Sequence, residues 1–327
     1  MRRLVQRFKW WRRIALWISM VRYGLEHNRD FAHEHFAFFE RMLTELESHR
    51  GTKDLEGLRV LEVGCGKMRW LTLLLHSRGA QVTGFDTEVV ERGLMKYPRI
   101  WRANGLERAA RTLVWDVLYA RSYYRELART APFALRFDGL DVRQMSVTEM
   151  DFAPKTFDLV VSHEVFEHLP DVNGALDGVA RVLKDDGLTY IYTHNFTSLS
   201  GGHHIAWKYP DSEPSETVPP WDHLRANRFP DIPSWINGWR EHRYRQAFDA
   251  RFEVLEWIHT EREGEALLTP EIRRELDDYS EDELLTKGFI AIARPSARPE
   301  EPPGHGSPSA TNDAGGAEAP RDRSGDD

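Results

Sequence analysis

One cysteine, Cys65, stands in a chain of 327 residues. That scarcity excludes an intramolecular disulfide framework and any cysteine-based zinc site, and it agrees with a reducing, cytoplasmic setting. Long apolar runs are missing too: the uncharged stretch 14–21 is only eight residues, where a span needs about 20. No small-residue cleavage site follows it, so neither a transmembrane helix nor a cleaved signal is expected. No internal repeat of solenoid period occurs. Positive charge is in deficit, with 44 Lys and Arg against 52 Asp and Glu, so the surface as a whole offers nucleic acid no bulk attraction.

What cation there is gathers at the front. Residues 1–24 carry Arg2, Arg3, Arg7, Lys9, Arg12, Arg13 and Arg22 without one acid. At 100° per residue Leu4, Phe8, Trp11, Ala15 and Ile18 share a side opposite Arg2, Lys9 and Arg13, so 1–30 reads as a basic amphipathic helix. Such a helix either lies on an anionic membrane, at its inner face, or docks on its own domain with the basic face in water. At the other end, 296–327 is Pro, Gly, Ser, Ala and acids, with no aromatic or large aliphatic residue after Ile292; a disordered tail is expected. Between them, 41% apolar residues with 11 Trp and 16 Phe supply the core of one domain over 31–295.

That middle alternates β-branched runs with helical stretches, the pattern of an α/β domain with a mostly parallel sheet. Strands are expected over 59–63, 81–85, 140–145, 157–162, 188–193, 252–258 and 289–293. Helices are expected over 69–77 and 172–183, the latter stopped by Lys184 and Gly187. The first strand runs into Gly64, Cys65 and Gly66, where glycines let backbone approach a ligand at the carboxyl edge of the sheet. The second runs out at Asp86, placed to accept both hydroxyls of a ribose. A two-glycine turn alone would also suit nucleotide dehydrogenases.

The later segments Phe157-Asp158-Leu159-Val160-Val161-Ser162-His163-Glu164-Val165-Phe166-Glu167-His168-Leu169-Pro170 and Arg181-Val182-Leu183-Lys184-Asp185-Asp186-Gly187, with the glycine turn and Asp86, resemble the class I S-adenosylmethionine-dependent methyltransferases. The likeness covers 55–195 by motif and implies a doubly wound, Rossmann-like sheet of order 3-2-1-4-5-7-6, its seventh strand antiparallel. It implies that Gly64, Cys65 and Gly66 face the methionine part of S-adenosylmethionine, Glu62 organises its amino group and Asp86 holds the ribose. Ser146 and Val147 would lie beside the adenine, and Ser162 and His163 would border the methionine and sulfonium. Ser146, where the family often has an acid, and Met68, where many members have a third glycine, are departures from the pattern.

For the reacting end, His194 closes the fifth strand and suits a general base, with His163 and His203 as other candidates. Glu164, Glu167 and His168 would share a helical face and could hold a divalent cation such as Mg2+ that lowers the pKa of a coordinated hydroxyl. This pattern is similar to that of metal-assisted O-methyltransferases acting on small-RNA ribose or on catechol intermediates of ubiquinone synthesis. In many metal-free class I members the Glu-His pair instead caps and orients the helix. Two segments exceed the minimal fold, a helical insertion over 88–137 and a loop region over 194–251. Their aromatics, among them Trp101, Trp115, Tyr119, Trp207, Trp221 and Trp235, would either pack a cap or face sugar rings. Together with a looser likeness to bacterial polysaccharide and glycolipid methyltransferases, they point to O-methylation of a sugar hydroxyl on a glycan or glycolipid. A quinone precursor or other small molecule is the alternative acceptor, and a non-catalytic, membrane-bound scaffold is the reading of another class.

Overall fold

The computed structural model describes residues 2–87, 96–208, 210–229 and 235–296, with the side chains of all of these except 2–21, 23, 24, 103, 104 and 111. The expected faces of the N-terminal helix and the expected tail beyond residue 296 therefore lie outside the described residues. Among those described, seven strands form one sheet: β1 (Arg59–Val63), β2 (Gln81–Asp86), β3 (Asp141–Gln144), β4 (Phe157–His163), β5 (Leu183–His194), β6 (Phe252–His259) and β7 (Gly288–Pro295). Their order is β3-β2-β1-β4-β5-β7-β6. Every pair is parallel except those of β7, which runs antiparallel to β5 and β6. The order reverses between β1 and β4, the switch point at which open α/β sheets leave a crevice at their carboxyl edge.

The sheet is buried on both faces because side chains alternate along each strand. Val60, Leu159, Val161, Tyr190 and Ile292 face one core layer; Leu61, Val63, Val160, Ile191 and Ala291 face the other. The first layer is closed by α1 (Arg2–Arg50), α2 (Trp70–Ser77) and α5 (Arg121–Thr130). The second is closed by α6 (Val172–Val182) and α7 (Glu241–Asp249). Asp171 caps α6 by accepting from Gly174 N–H at 2.9 Å, a favoured N-terminal arrangement.

Several boundaries differ from the expected ones. α1 is a single helix through position 30, and Phe31, Phe39, Met42, Leu43 and Leu46 are buried beneath it. α6 ends at Val182, one residue before the expected end, but Leu183 turns extended and pairs with Phe157, so β5 begins five residues before the expected 188. The insertion holds α3 (Lys96–Asn104), α4 (Leu106–Val114), a π-helical turn Trp115–Ala120 and α5, and residues 88–95 lie outside the description. The loop region packs a small satellite core of Trp207, Trp221 and Leu199 against α8 (Pro270–Glu275) and α9 (Glu281–Leu285). Among the described residues no helix is long and apolar enough to cross a membrane.

Candidate active site

The turn after β1 is built from backbone donors. Gly64 and Cys65 N–H donate to the Phe85 carbonyl at 2.9 and 3.0 Å, and Gly66 N–H donates to Asp86 Oδ2 at 3.0 Å. Gly64 has φ +73°, and a Cβ there would come within 2.3 Å of Val165, so this position admits only glycine. Gly66, at φ +58°, opens onto free space within 4 Å, which leaves room for a ligand against the backbone. Glu62 lies beneath, buried, and accepts the Thr72 hydroxyl. Burial pushes its pKa up to about 7. Gly84 on β2 makes this possible, because a Cβ there would sit 2.5 Å from Thr72 Oγ1. Where a third glycine was expected, the Met68 carbonyl instead accepts the Tyr124 hydroxyl, so the insertion clamps the turn. An open glycine edge between two acids fits the donor, with Glu62 and Asp86 as the groups that would hold it.

Other positions expected around the cofactor have their side chains engaged elsewhere. Ser162 Oγ donates to the Val63 carbonyl at 3.0 Å and is fully buried between β4 and β1. Ser146 Oγ caps the 3-10 turn Val147–Glu149, and Val147 is part of the second core layer. Cys65 is buried, and burial raises its thiol pKa far above the ordinary range. These four can meet a ligand only through their immediate backbone or surface edge.

At the end of β4 the His163 ring stands in an aromatic wall, with centroids of Phe38 at 4.4 Å, Tyr192 at 5.0 Å and Trp70 at 5.2 Å. His35 of α1 stacks on Trp70 at 4.3 Å and bonds the Tyr123 hydroxyl through Nδ1 at 2.6 Å. Burial lowers the pKa of both imidazoles, that of His35 to about 3. His35, Phe38 and Trp70 were not anticipated; the one signal for His35 is a polar residue on the apolar face of a helix.

Glu164 follows in left-handed backbone, φ +54°, its N–H held by the Tyr192 carbonyl at 3.2 Å. Its carboxylate lies 3.9 Å from His163 Nδ1 and 3.8 Å from His194 Nδ1. Burial opposes ionisation of Glu164, but the His163, His194, His203 and Lys287 side chains outweigh it and hold the pKa near about 2. His194 is pushed down by burial first, to about 3. At neutral pH the imidazole is therefore neutral and the negative charge is on Glu164.

His194 Nε2 lies 2.8 Å from Ser200 Oγ. The Ser200 hydroxyl and N–H both donate to Glu263 Oε1 at 2.7 Å. The single hydroxyl proton of Ser200 is thus committed to Glu263, so Nε2 of His194 carries the ring proton and Nδ1 keeps its lone pair. Neither Ser200 nor Glu263 was among the expected site residues.

The expected metal set is corrected by the local backbone. No helix follows Glu164; there is a 3-10 turn, Phe166–His168, pinned by Asn237, whose side chain donates to Phe166 and Leu169 carbonyls. Glu164 consequently points toward His163 and His194. The trio whose ligand atoms lie within 4.8 Å of one another is Glu167, His168 and His203. Both Glu167 oxygens are buried without a partner in full hydrogen-bond geometry; burial, then Glu164, raises its pKa well above the usual range, only weakly opposed by the nearby backbone N–H groups of Glu167 and His194. His168 Nδ1 donates to the Trp235 carbonyl at 2.9 Å, leaving Nε2 as a ligand atom oriented from behind by a carbonyl. An orphaned carboxylate beside two imidazoles fits a divalent cation. His204 is spent capping, accepting Ala206 N–H at 3.0 Å.

Of the aromatics expected either to pack a cap or to face sugar rings, Tyr119, Trp207 and Trp221 are core residues. Trp115 stacks on Tyr119 with a 4.0 Å centroid separation. Trp101 and Trp235 are exposed.

A 3-2-1-4-5-7-6 sheet with a glycine turn at its switch point and an acid ending the next strand defines a class I S-adenosylmethionine-dependent methyltransferase. Residues 26–256 match the family described as Methyltransferase domain, and the chain belongs to that family. It is similar to the ubiquinone biosynthesis O-methyltransferase of Rhizobium rhizogenes, 26% identical over 192 residues, 58% of this chain and 60% of that one. The mitochondrial ubiquinone biosynthesis O-methyltransferase of Bos taurus is 28% identical over 167 residues, 49% of this chain and 35% of that one. The match thus spans less than two thirds of these relatives. A solved S-adenosylmethionine dependent methyltransferase from Mesorhizobium loti superposes with TM-score 0.42 at 16% identity, covering 74% of this chain and 92% of that one.

Proposed function

We propose that the protein methylates a hydroxyl oxygen of a small acceptor with S-adenosylmethionine as donor, and that the acceptor is a phenolic ring with neighbouring oxygens, as in a quinone precursor. The observation that carries this reading is the orphaned Glu167 carboxylate beside His168 and His203, adjoining His194 at the carboxyl ends of β4 and β5. The donor, when bound, supplies an electrophilic methyl group on sulfonium. Gly64, Gly66, Glu62 and Asp86 would hold it, and the aromatic wall of Phe38, Trp70, His163 and Tyr192 would keep water from the reacting atoms. Transfer then needs the acceptor oxygen in line and its proton removed.

His194 Nδ1 is the lone pair available for that proton. With its pKa depressed to about 3, it is a weak base, which favours an acidic hydroxyl. Phenols ionise near 10, as tyrosine does, and aliphatic sugar hydroxyls far less readily. A cation held by Glu167, His168 and His203 would acidify the hydroxyl further. The relatives named for ubiquinone biosynthesis support the same acceptor class. The sugar acceptor ranks second, because half of the aromatics it would stack on, Tyr119, Trp207 and Trp221, are core residues.

Incubation with methyl-labelled S-adenosylmethionine, a panel of catechols and a panel of nucleotide sugars tests this. Label in a catechol ether is the expected result. Label in sugars alone would overturn the acceptor, and donor binding with no transfer to any acceptor would favour a non-catalytic scaffold.

A further inference from the structure

The helical insertion turns its apolar side outward. Along α4 and the π turn that continues it, Leu106, Ala110, Leu113 and Val117 recur at i, i+4, i+7 and i+11, one stripe of a helix. Leu106, Leu113 and Val117 are 65%, 43% and 42% exposed, and Trp101 of α3 is 57% exposed. The segment is nevertheless anchored. Tyr119 enters the first core layer, Tyr97 and Lys96 bind Asp116 at 2.9 and 2.7 Å, and Asn28 Nδ2 donates to the Tyr119 carbonyl at 3.2 Å. A helical segment anchored through Ala109 and Tyr119 while its leucines face water presents an interaction surface.

Charge narrows the occupant. Residues 96–130 hold eight Lys and Arg against three acids, in a chain of net charge −8. The pairings of Asn28 with Tyr119, His35 with Tyr123 and Phe39 with Phe133 ascend together, so the earlier residues of α1 run toward the π turn and α4. Those residues are the acid-free segment 1–24 with its seven cations, and the helix continues through them to Arg2. Leucine, tryptophan and arginine side by side match an interface that is apolar beneath and anionic above.

We infer that α3, α4 and the π turn form a surface that docks on an anionic lipid bilayer, with the basic first half of α1 running toward it. Leu106, Leu113, Val117 and Trp101 enter the acyl boundary, and the flanking cations meet lipid phosphates. None of Trp101, Leu106, Leu113 and Val117 is among the residues of the candidate active site, so the docking stands whatever the acceptor is.

Sedimentation of the full chain with vesicles of phosphatidylcholine mixed with phosphatidylglycerol, against pure phosphatidylcholine vesicles, tests it. Binding to the anionic vesicles alone, weakened by salt and reduced several-fold by the combined substitutions Leu106→Ser, Leu113→Ser and Val117→Ser, is expected. The melting temperature and S-adenosylmethionine affinity of that variant should equal the parent's, which separates lost docking from lost folding. The inference is overturned if the full chain ignores anionic vesicles or if the triple variant binds them as the parent does. It is equally overturned if light scattering shows a parent dimer that the variant dissolves, since the stripe would then face a second copy.

Discussion

Glu167 is the residue at which the site's chemistry turns. A carboxyl group buried with neither oxygen bonded costs several kcal/mol as an anion unless a cation answers it, and the two imidazoles beside it, His168 and His203, carry lone pairs suited to the same ion. A divalent cation bound there stabilises only the folded state, by about 2.7 kcal/mol at a hundredfold excess over its dissociation constant. Melting in EDTA and then in excess Mg2+, Mn2+ or Zn2+ should therefore show a rise in the parent that Glu167→Ala abolishes. A parent that melts alike in chelator and in every metal would mean that Glu167 is simply held protonated. Glu164, three residues earlier in sequence, should leave most of the metal shift intact when changed to Gln, because its carboxylate serves His163 and His194.

At the scale of elements, the strands were legible because β-branched runs bounded by glycine need only local information. Gly64, Gly66 and Asp86 were legible for the same reason: the turn, the strand end and their spacing lie within one βαβ unit. The reacting end was read less well. A local helical spacing suggested Glu164 with Glu167, whereas positive φ at Glu164 and a 3-10 turn exchange it for His203, a residue from beyond β5. The aromatic wall was invisible because its contacts join α1 to α2 and β4 across more than thirty residues. α1 shows the same limit. Its first half has a conspicuous charge pattern, but its second half carries Phe39, Met42, Leu43 and Leu46, all buried to within 1% exposure. Each such side chain contributes about 1.5 to 3 kcal/mol on burial, together comparable with the 5 to 15 kcal/mol that holds a typical domain. Removing residues 1–24 should leave the circular dichroism melt unchanged, while removing 1–46 should abolish the cooperative transition. A cooperative melt in the shorter piece would show that α1 is dispensable to the sheet.

At the scale of the whole molecule, buried imidazoles tie stability to pH. His35 and His194 are depressed to about 3, and His203 and His223 to about 4, burial being the first cause in each. A group whose folded pKa lies below its unfolded value near 6.5 contributes its full stability above that value, and loses it as the pH falls toward the folded pKa. Each unit of fall through that window costs about 1.4 kcal/mol per imidazole. Glu62 acts in the opposite sense. Raised to about 7, it contributes most below the ordinary carboxyl range and loses that contribution as the pH rises through 7. Glu167 and Glu263 are raised by burial too, but these three carboxyls face five lowered imidazoles, His163 included, so the net slope between pH 7 and 5 is toward lower stability in acid. His223 gives one component, since its Nε2 donates to the Phe196 carbonyl at 2.9 Å and it touches the cluster only beside Gly202, next to His203. Urea unfolding of the parent at pH 7, 6 and 5 should show stability falling at each step. His223→Gln, which can keep a donor for Phe196 without titrating, should lessen the fall by about 1 kcal/mol per pH unit below 6.5. Equal stability at pH 7 and 5 would mean that these imidazoles are reached by water and protonate without unfolding the protein.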